Sequence, residues 1–346
     1  MKAAHQTLYR AYRPQSFDEV RGQEQVTETL KAAIKNKKIA HAYLFCGGRG
    51  TGKTSVARIL AKELGVSDKD LYEIDAASNT GVDNIRELRE GVNVVPFESP
   101  YKFYIIDEAH MLSKAAFNAF LKTLEEPPPH AIFVLATTER EKIPDTIQSR
   151  CEIYIFKQPS REMLAETVAD VAKSEGYALE RSAAELVALL AEGSFRDSLS
   201  ILQKVLAVSK DKKVDVAEVE KVTGAPKSEL VRQILKAIAE KDASSALKAV
   251  SVAVKENLDA RVLTKLLIHR MRVILLLRFA PDLAESFSKE LTEADLELAK
   301  ELSKNPGVTS DTLRQLLEAY SVMFYAAVPH LPLEMAIMDI ANPGKA

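Results

Sequence analysis

The chain has 346 residues, 47% of them hydrophobic, and its formal net charge at pH 7 is −2. This length exceeds what one ordinary core supports, so two or three domains are expected. The near-neutral charge excludes a globally basic nucleic-acid binder, so any such contact must come from a local patch. No apolar run approaches the ~20 residues of a membrane span, and the N-terminus lacks an apolar signal core, which predicts a cytoplasmic protein.

The first stretch of the chain, residues 8–22, contains proline and glycine, which predict irregular backbone. Within it, Pro14 and Val20 are apolar residues outside a regular element. Two interpretations stay open, because these side chains either pack beneath a loop or line a pocket for a flat base. An amphipathic helix is predicted over residues 24–34.

The stretch over residues 42–54, AYLFCGGRGTGKT, organises the rest of the chain. An apolar run predicts a buried strand, four glycines follow, and helical spacing begins at residue 55. This context favours a G-x-x-x-x-G-K-[ST] phosphate loop over a glycine-rich structural turn. Lys53 is expected on the β- and γ-phosphates, and the Thr54 hydroxyl on Mg²⁺. The predicted nucleotide-binding residues here are Gly47, Gly48, Arg49, Gly50, Thr51, Gly52, Lys53, Thr54 and Ser55.

A second strand is predicted over residues 71–75 and a helix over residues 82–94, joined by a polar turn. Thr80 is placed to cap this helix, and Arg86 lies one turn in. Because a helix N-terminus with free N–H groups also attracts anions, capping alone and anion binding both stay open.

Residues 101–108, YKFYIIDE, form an apolar strand that ends in two carboxylates. Downstream of a phosphate loop, this pattern indicates the Walker B arrangement. Asp107 is expected to hold Mg²⁺, and Glu108 to orient and polarise the attacking water. Burial of the strand brings both carboxylates to the carboxyl edge of the sheet, where ligands bind in open α/β folds.

The alternation of strands and helices continues and predicts an α/β fold with a parallel sheet. Thr138, in the Thr-Thr pair after the next strand, is expected beside the nucleotide edge. Arg150, judged from the residues alone, is interpreted as a structural salt-bridge residue. The further predicted elements of this part are a helix over 114–125, a strand over 131–136, a helix over 143–149 and a strand over 152–156.

Several segments together resemble the AAA+ ATPases that load sliding clamps, in particular the gamma/tau family of bacterial DNA polymerase III, over nearly the whole chain. Ser-Arg-Cys, placed after the Thr-Thr pair, is more specific than the Walker motifs, which many NTPases share. The segments are residues 47–54, IDEAH at 106–110, LKTLEEP at 121–127, LATT at 135–138 and SRC at 149–151.

This resemblance implies roles for individual residues. Thr138 matches the sensor-1 position, and Arg150 matches an arginine finger that acts on ATP in the neighbouring subunit. Pro14 and Val20 match the adenine pocket. The DNA contacts that it implies, to the duplex backbone and not to its sequence, are Ser78, Thr80, Arg86, Lys122 and Lys142.

Gln-Pro-Ser at residues 158–160 predicts a domain boundary. Residues 193–199, GSFRDSL, resemble the sensor-2 motif, in which Arg196 reaches the γ-phosphate. The alternative is an arginine at a helix N-terminus that pairs with Asp197. The predicted domains are an AAA+ nucleotide-binding α/β domain over 1–158, a helical lid over 159–224 and a helical collar over 225–346. Helices are predicted over 161–175, 182–192, 195–208, 214–223, 227–240, 243–256, 258–278, 293–304, 310–326 and 331–341.

The resemblance implies an ATPase that uses ATP and Mg²⁺ to open a sliding clamp and load it onto primed DNA. Other clamp-loader subunits are expected as partners, in a pentamer joined through the collar, without membrane contact. Two departures from the family matter. No four-cysteine module lies between residues 64 and 71, so no zinc is predicted. The sequence ends at Ala346, before the long tail that the resemblance leads us to expect in tau forms, and both a naturally short chain and a truncated one stay open.

Two rival interpretations belong to other classes. A subunit that no longer hydrolyses ATP predicts a degraded phosphate loop, and the loop is intact. A motor that threads polymer, such as a branch-migration helicase, would lack Ser-Arg-Cys joined to an all-helical collar.

Overall fold

The computed structural model describes residues 6–78, 90–282 and 291–342. The chain divides into two compact units. The first comprises Met1–Thr167 and Ala191–Ser200, and the second comprises Val168–Leu190 and Ile201–Ala346. We call them the sheet unit and the helical unit. The boundaries of the three predicted domains stay a prediction.

The sheet unit contains five parallel strands in the order β2-β3-β4-β1-β5. Because all strands run the same way, their carboxyl ends meet at one edge. The register places Cys46 of β1 beside Thr137 of β4, and Ile106 of β3 beside Leu135 of β4. The strands are β1 Ala42–Cys46, β2 Leu71–Asp75, β3 Lys102–Asp107, β4 Ala131–Thr137 and β5 Glu152–Ile155.

Both faces of the three central strands, β3, β4 and β1, are buried. Successive side chains of a strand point to opposite sides, and helices cover each side. In β1, Leu44 packs into one core with Phe120 of the helix Lys114–Glu125. The neighbouring Phe45 packs into the other core with Leu60 of the helix Lys53–Glu63. An apolar strand with helices on both sides is therefore the element that carries the phosphate loop.

The helices of the sheet unit follow the predictions, with two differences. Residues 8–22 contain short helical turns where irregular backbone was expected. The helix predicted over 143–149 begins only after Pro144, because a residue before proline is disfavoured in the α region and Ile143 is extended. The helices are Leu8–Ala11, Glu24–Lys35, Lys53–Glu63, Lys114–Glu125 and Asp145–Gln148, with 3₁₀ turns at Phe17–Glu19, Ala109–Met111 and Arg140–Lys142.

Two helices, Arg161–Ser174 and Phe195–Val208, belong partly to each unit. The helical unit also contains a short parallel pair of strands, Ala178–Leu179 with Lys213–Val214, which the sequence did not predict because two residues carry no periodicity. Its other helices are Arg181–Leu190, Val216–Thr223, Ser228–Ala239, Ala243–Lys255, Ala260–Phe279, Glu293–Leu302, Ser310–Val322 and Leu331–Ala341.

The predicted combination of a parallel α/β sheet with a helical remainder is confirmed. The helix predicted over residues 82–94 falls largely on residues 79–89, which lie outside the described part of the chain.

Candidate active site

The phosphate loop joins β1 to the helix that begins at Lys53. Gly50 has a φ of +70°, and a Cβ there would lie 2.0 Å from Ser194 Oγ. The Phe195 N–H donates to the Gly50 carbonyl at 3.1 Å. Only a residue without a side chain fits this position, because the 194–195 segment lies directly against the loop.

Lys53 is buried, and its ammonium donates to the carbonyls of Gly47 at 2.7 Å and Gly48 at 2.9 Å. Burial lowers the pKa of Lys53, and the nearby carboxylates of Glu108 and Asp107 partly oppose that shift. The hydrogen-bond partners are neutral carbonyls, which a phosphate oxygen can replace with a stronger, charge-assisted bond.

Two oxygen ligands of the kind that Mg²⁺ prefers face each other at the sheet edge. The Thr54 hydroxyl donates to Asp107 Oδ2 at 2.9 Å. The other oxygen of Asp107 accepts the Glu108 N–H at 3.0 Å, so the carboxylate is held at both ends. A hydroxyl and a carboxylate beside a phosphate loop fit Mg²⁺, which is bound in proteins by a few oxygen ligands together with substrate phosphates.

Glu108 leaves β3 with a φ of +48° and begins a 3₁₀ turn. Thr138, which follows β4, donates its hydroxyl to Glu108 Oε2 at 3.2 Å. Because β4 lies between β3 and β1, the carboxyl ends of these three strands are adjacent at one edge of the sheet. Five of the predicted residues therefore converge on one edge: Lys53, Thr54, Asp107, Glu108 and Thr138.

His110 is a site residue that the sequence argument missed. Its side chain is 8% exposed, and Nδ1 lies 3.1 Å from Thr137 Oγ1 and 3.5 Å from Glu108 Oε2. Nε2 lies 3.1 Å from Glu139 Oε1. The sequence does contain a signal for this residue, because a polar imidazole follows the two carboxylates within an otherwise apolar segment. Only the fold, however, brings the end of β4 beside His110.

The remaining loop residues contribute in different ways. The buried Thr51 hydroxyl donates to the Gly48 carbonyl at 2.9 Å and so braces the loop. Arg49 is exposed, and Ser55 is half-buried. Pro14 and Val20 are half-buried, and Val20 packs against one core of the sheet unit, the core that contains Phe45.

The two candidate arginines both have partners within the sheet unit. Arg150 pairs with Glu125 at 2.7 Å and donates to the Thr146 carbonyl at 2.7 Å, so the salt-bridge interpretation describes its contacts in one chain. Arg196 is exposed, and its guanidinium carbon lies 5.1 Å from the centre of the Tyr9 ring.

The candidate DNA contacts are only partly described. Ser78 is exposed and donates its hydroxyl to Asp75 at 3.0 Å. Lys122 is exposed on the helix Lys114–Glu125, and Lys142 pairs with Glu139 at 2.7 Å. Thr80 and Arg86 lie outside the described residues.

Apart from the expected Mg²⁺ ligands Thr54 and Asp107, the described residues contain no cluster of metal-binding side chains, and they contain no membrane-spanning helix. Across residues 6–78, 90–282 and 291–342, no group of three or more His, Cys, Asp or Glu side chains is arranged to hold a metal ion. In those ranges no helix combines the length and the apolar character that crossing a bilayer requires.

Family models match consecutive parts of the chain. One described as DNA polymerase III, delta subunit, matches residues 22–77 and 66–160. One described as DNA polymerase III clamp loader subunit, ATPase lid domain, matches residues 163–211. One described as DNA polymerase III subunits gamma and tau domain III matches residues 214–343.

Curated relatives agree with these models. DNA polymerase III subunit tau of Bacillus subtilis (strain 168) is 37% identical over 98% of this chain and 64% of the relative. The gamma/tau subunit of Mycobacterium tuberculosis (strain ATCC 25618 / H37Rv) is 37% identical over 97% of this chain and 62% of its own length. Subunit tau of Escherichia coli (strain K12) is 34% identical over 97% and 55%. The chain thus spans less than two thirds of the relatives it matches.

Solved structures show a related fold. The Thermotoga maritima RuvB Holliday junction branch migration motor is 25% identical, with a TM-score of 0.53, over 66% of this chain and 80% of that one. A second solved structure of Thermotoga maritima RuvB, a point variant, gives the same values. The fold is therefore that of a RuvB-like AAA+ P-loop ATPase, and residues 214–343 match the gamma and tau domain III model.

Proposed function

Because this chain belongs to the gamma/tau family of bacterial DNA polymerase III subunits, we propose that it is an ATP-driven motor of a clamp loader. Its task is to open a sliding clamp and load it onto primed DNA in the cytoplasm. The observation that carries this proposal is the convergence of Lys53, the Thr54–Asp107 pair and the Glu108–Thr138 pair at one sheet edge.

ATP binds in the phosphate loop over residues 47–55, with adenine against Pro14 and Val20. Lys53 exchanges its carbonyl partners for the β- and γ-phosphates, and the energy of charge-assisted bonds drives that exchange. Thr54 and Asp107 hold Mg²⁺, which when bound neutralises charge on the phosphates. We propose no zinc site.

Hydrolysis uses the next residues along the same edge. Glu108 orients and polarises the attacking water, a contribution of about 10²–10⁴ in rate for a positioned base. Thr138 holds Glu108 Oε2 through its hydroxyl. Its further role in this proposal is that of sensor 1, which responds to the γ-phosphate. Both side chains follow neighbouring strands, which brings them to the same edge of the sheet.

Two arginines couple this chemistry to assembly and to nucleotide state. Arg150 acts on ATP bound by the neighbouring subunit, where such a finger contributes about 10³–10⁵ in rate. To do so it exchanges Glu125, its partner within one chain, for a phosphate. Arg196 contacts the γ-phosphate and thereby couples the position of the lid to the bound nucleotide.

The partners follow from the same proposal. Residues 225–346 form the collar that joins five clamp-loader subunits, after the α/β domain at 1–158 and the lid at 159–224. Primed DNA enters the assembly and contacts Ser78, Thr80, Arg86, Lys122 and Lys142 through its phosphates, without reading base sequence.

Steady-state ATP hydrolysis tests this function, measured with the purified chain alone, with primed DNA, with a sliding clamp and with both. We expect stimulation by both ligands together and its loss in Arg150→Ala. If the chain alone binds ATP without turnover, the same measurement is made after the other clamp-loader subunits are added. No nucleotide binding in either setting would refute the assignment.

A further inference from the structure

Glu108, on which hydrolysis depends in the proposed function, has two neighbours at the same oxygen. Thr138 donates its hydroxyl to Oε2 at 3.2 Å, and His110 Nδ1 lies 3.5 Å from Oε2. The positive φ of Glu108 turns its backbone away from β3, so the strand ladder no longer fixes this side chain. Its position therefore depends on these neighbours.

The imidazole of His110 is itself held at both nitrogens. A carboxylate oxygen only accepts, so the contact between Nε2 and Glu139 requires the proton on Nε2. With Nδ1 protonated as well, the ring donates from Nδ1 to the Thr137 hydroxyl oxygen at 3.1 Å, and the same N–H faces Glu108 Oε2 at 3.5 Å. Thr137 Oγ1 in turn accepts the Glu139 N–H at 3.1 Å, and Lys142 pairs with the other Glu139 oxygen at 2.7 Å.

We propose that His110 is a positioning residue for Glu108. This inference rests on the proposed function, because it assigns the ring a task in ATP hydrolysis. The ring and the Thr138 hydroxyl both lie against Oε2 of Glu108 and together restrict its movement. The contacts with Thr137 and Glu139 keep the ring from rotating, and burial of the side chain keeps water from replacing it.

Nucleotide affinity is expected to be independent of His110. Within the described part of the chain, its hydrogen bonds and ion pairs go to Glu108, Thr137 and Glu139 and not to the phosphate loop. A change at His110 therefore reaches the reaction through Glu108 and leaves the phosphate contacts in place.

The variants His110→Leu and His110→Asn separate positioning from packing. Leucine fills the space without polar atoms, whereas asparagine keeps a polar group near the position of Nδ1. We expect kcat to fall about tenfold in His110→Leu, which is less than the about 10²–10⁴-fold contribution of the base itself because Glu108 is still present. In His110→Asn, kcat should stay within about threefold of the wild-type value. Affinity for a fluorescent ATP analogue and thermal melting should match wild type in both.

The matched control is His130→Ala. His130 belongs to the same unit, and its Nε2 contacts the Val92 carbonyl at 2.9 Å, away from the carboxylates. It should leave kcat unchanged. A double-mutant cycle with Glu139→Ala adds a second measurement: the few-fold loss from Glu139→Ala should disappear in the His110→Leu background, because both changes release the same ring.

The outcomes separate this inference from the function on which it rests. Wild-type turnover in His110→Leu, or equal losses in the leucine and asparagine variants, would overturn the positioning role while leaving the ATPase intact. A parallel loss of affinity and melting temperature would reduce His110 to a packing residue. Absence of ATP binding and hydrolysis in wild type itself, in every assembly, would remove the proposed function first.

Discussion

Both units of this chain bury charged side chains, and the partners of those charges differ. In the sheet unit, Lys53 is buried with two neutral carbonyls as its hydrogen-bond partners. In the helical unit, the buried Asp295 carboxylate pairs with Arg232 at 3.1 Å and Arg270 at 2.6 Å. A buried charge is costly unless it is compensated. In the second arrangement opposite charges of the same chain compensate one another, whereas in the first the lysine favours an incoming anion.

A third buried charge, Asp70, lies just before β2, and its partners differ from those of both Lys53 and Asp295. Asp70 accepts the backbone N–H groups of Phe97, Glu98 and Ser99 at 2.6–3.0 Å. Its charge is compensated by backbone dipoles and holds a surface loop in place. Burial alone therefore does not indicate a functional site, and the nature of the partners does.

The largest expected effect is on hydrolysis at the open sheet edge. Glu108→Gln keeps the shape of the side chain but removes the base, so the hydrolysis rate should fall about 10²–10⁴-fold. ATP affinity should stay within about twofold, because the phosphate contacts are untouched. Phosphate release and nucleotide titration measure the two quantities. Glu141→Gln, an exposed glutamate of the same unit, is the control, and equal rates for both variants would contradict the role of Glu108.

Next in size is an effect on stability in the helical unit. Asp295→Asn leaves Arg232 and Arg270 without their common carboxylate, so the free energy of unfolding should fall by about 3–5 kcal/mol. Urea unfolding followed by far-UV circular dichroism measures it. Glu297→Gln, exposed on the same helix, should change stability little. An unaltered unfolding midpoint in Asp295→Asn would show that this ion-pair cluster does not hold the unit together.

In contrast to Asp295→Asn, which should lower the free energy of unfolding, Lys53→Ala should weaken ATP binding and leave folding intact. Loss of charge-assisted bonds to phosphate predicts about 100-fold weaker ATP binding or more. Titration with a fluorescent ATP analogue measures it, and Lys62→Ala on the same helix is the matched control. Unchanged affinity in Lys53→Ala would refute the assignment of the phosphate loop.

The smallest effect concerns Asp70 and depends on pH. Burial alone would raise the pKa of this carboxyl, but hydrogen bonds from the backbone N–H groups of Glu98 and Phe97 outweigh it and lower the pKa to about 2. Because the folded pKa lies below the unfolded one, the stabilisation is fully present above about pH 4 and is lost as the pH falls through about 2.

From a shift of this size, Asp70→Asn should lose about 2 kcal/mol of unfolding free energy at neutral pH. It should also lose most of the change in stability between pH 4 and pH 2. Urea unfolding at several pH values tests this, with the exposed Asp68→Asn as control. A wild-type pH profile in Asp70→Asn would assign the acid sensitivity to other groups.

Much of the sheet unit was predictable from the sequence. The phosphate loop, the Walker B carboxylates and the Thr-Thr pair each follow an apolar strand, and a parallel sheet brings the ends of such strands to one edge. The gamma/tau resemblance, drawn from those motifs and Ser-Arg-Cys, is confirmed by the relatives and family models. The two-residue strands at 178–179 and 213–214 were missed, because so short a pairing leaves no periodic pattern.

The sequence by itself determined the identity and order of the chemical groups: a lysine after glycines, two carboxylates after a buried strand, a hydroxyl after the next. Only the tertiary structure decided which groups touch. It placed β4 between β3 and β1, brought His110 beside Glu108 and Thr137, and paired Arg150 with Glu125. Local spacing fixes the elements, whereas contacts between residues far apart in the chain depend on strand order and packing, which no local pattern encodes.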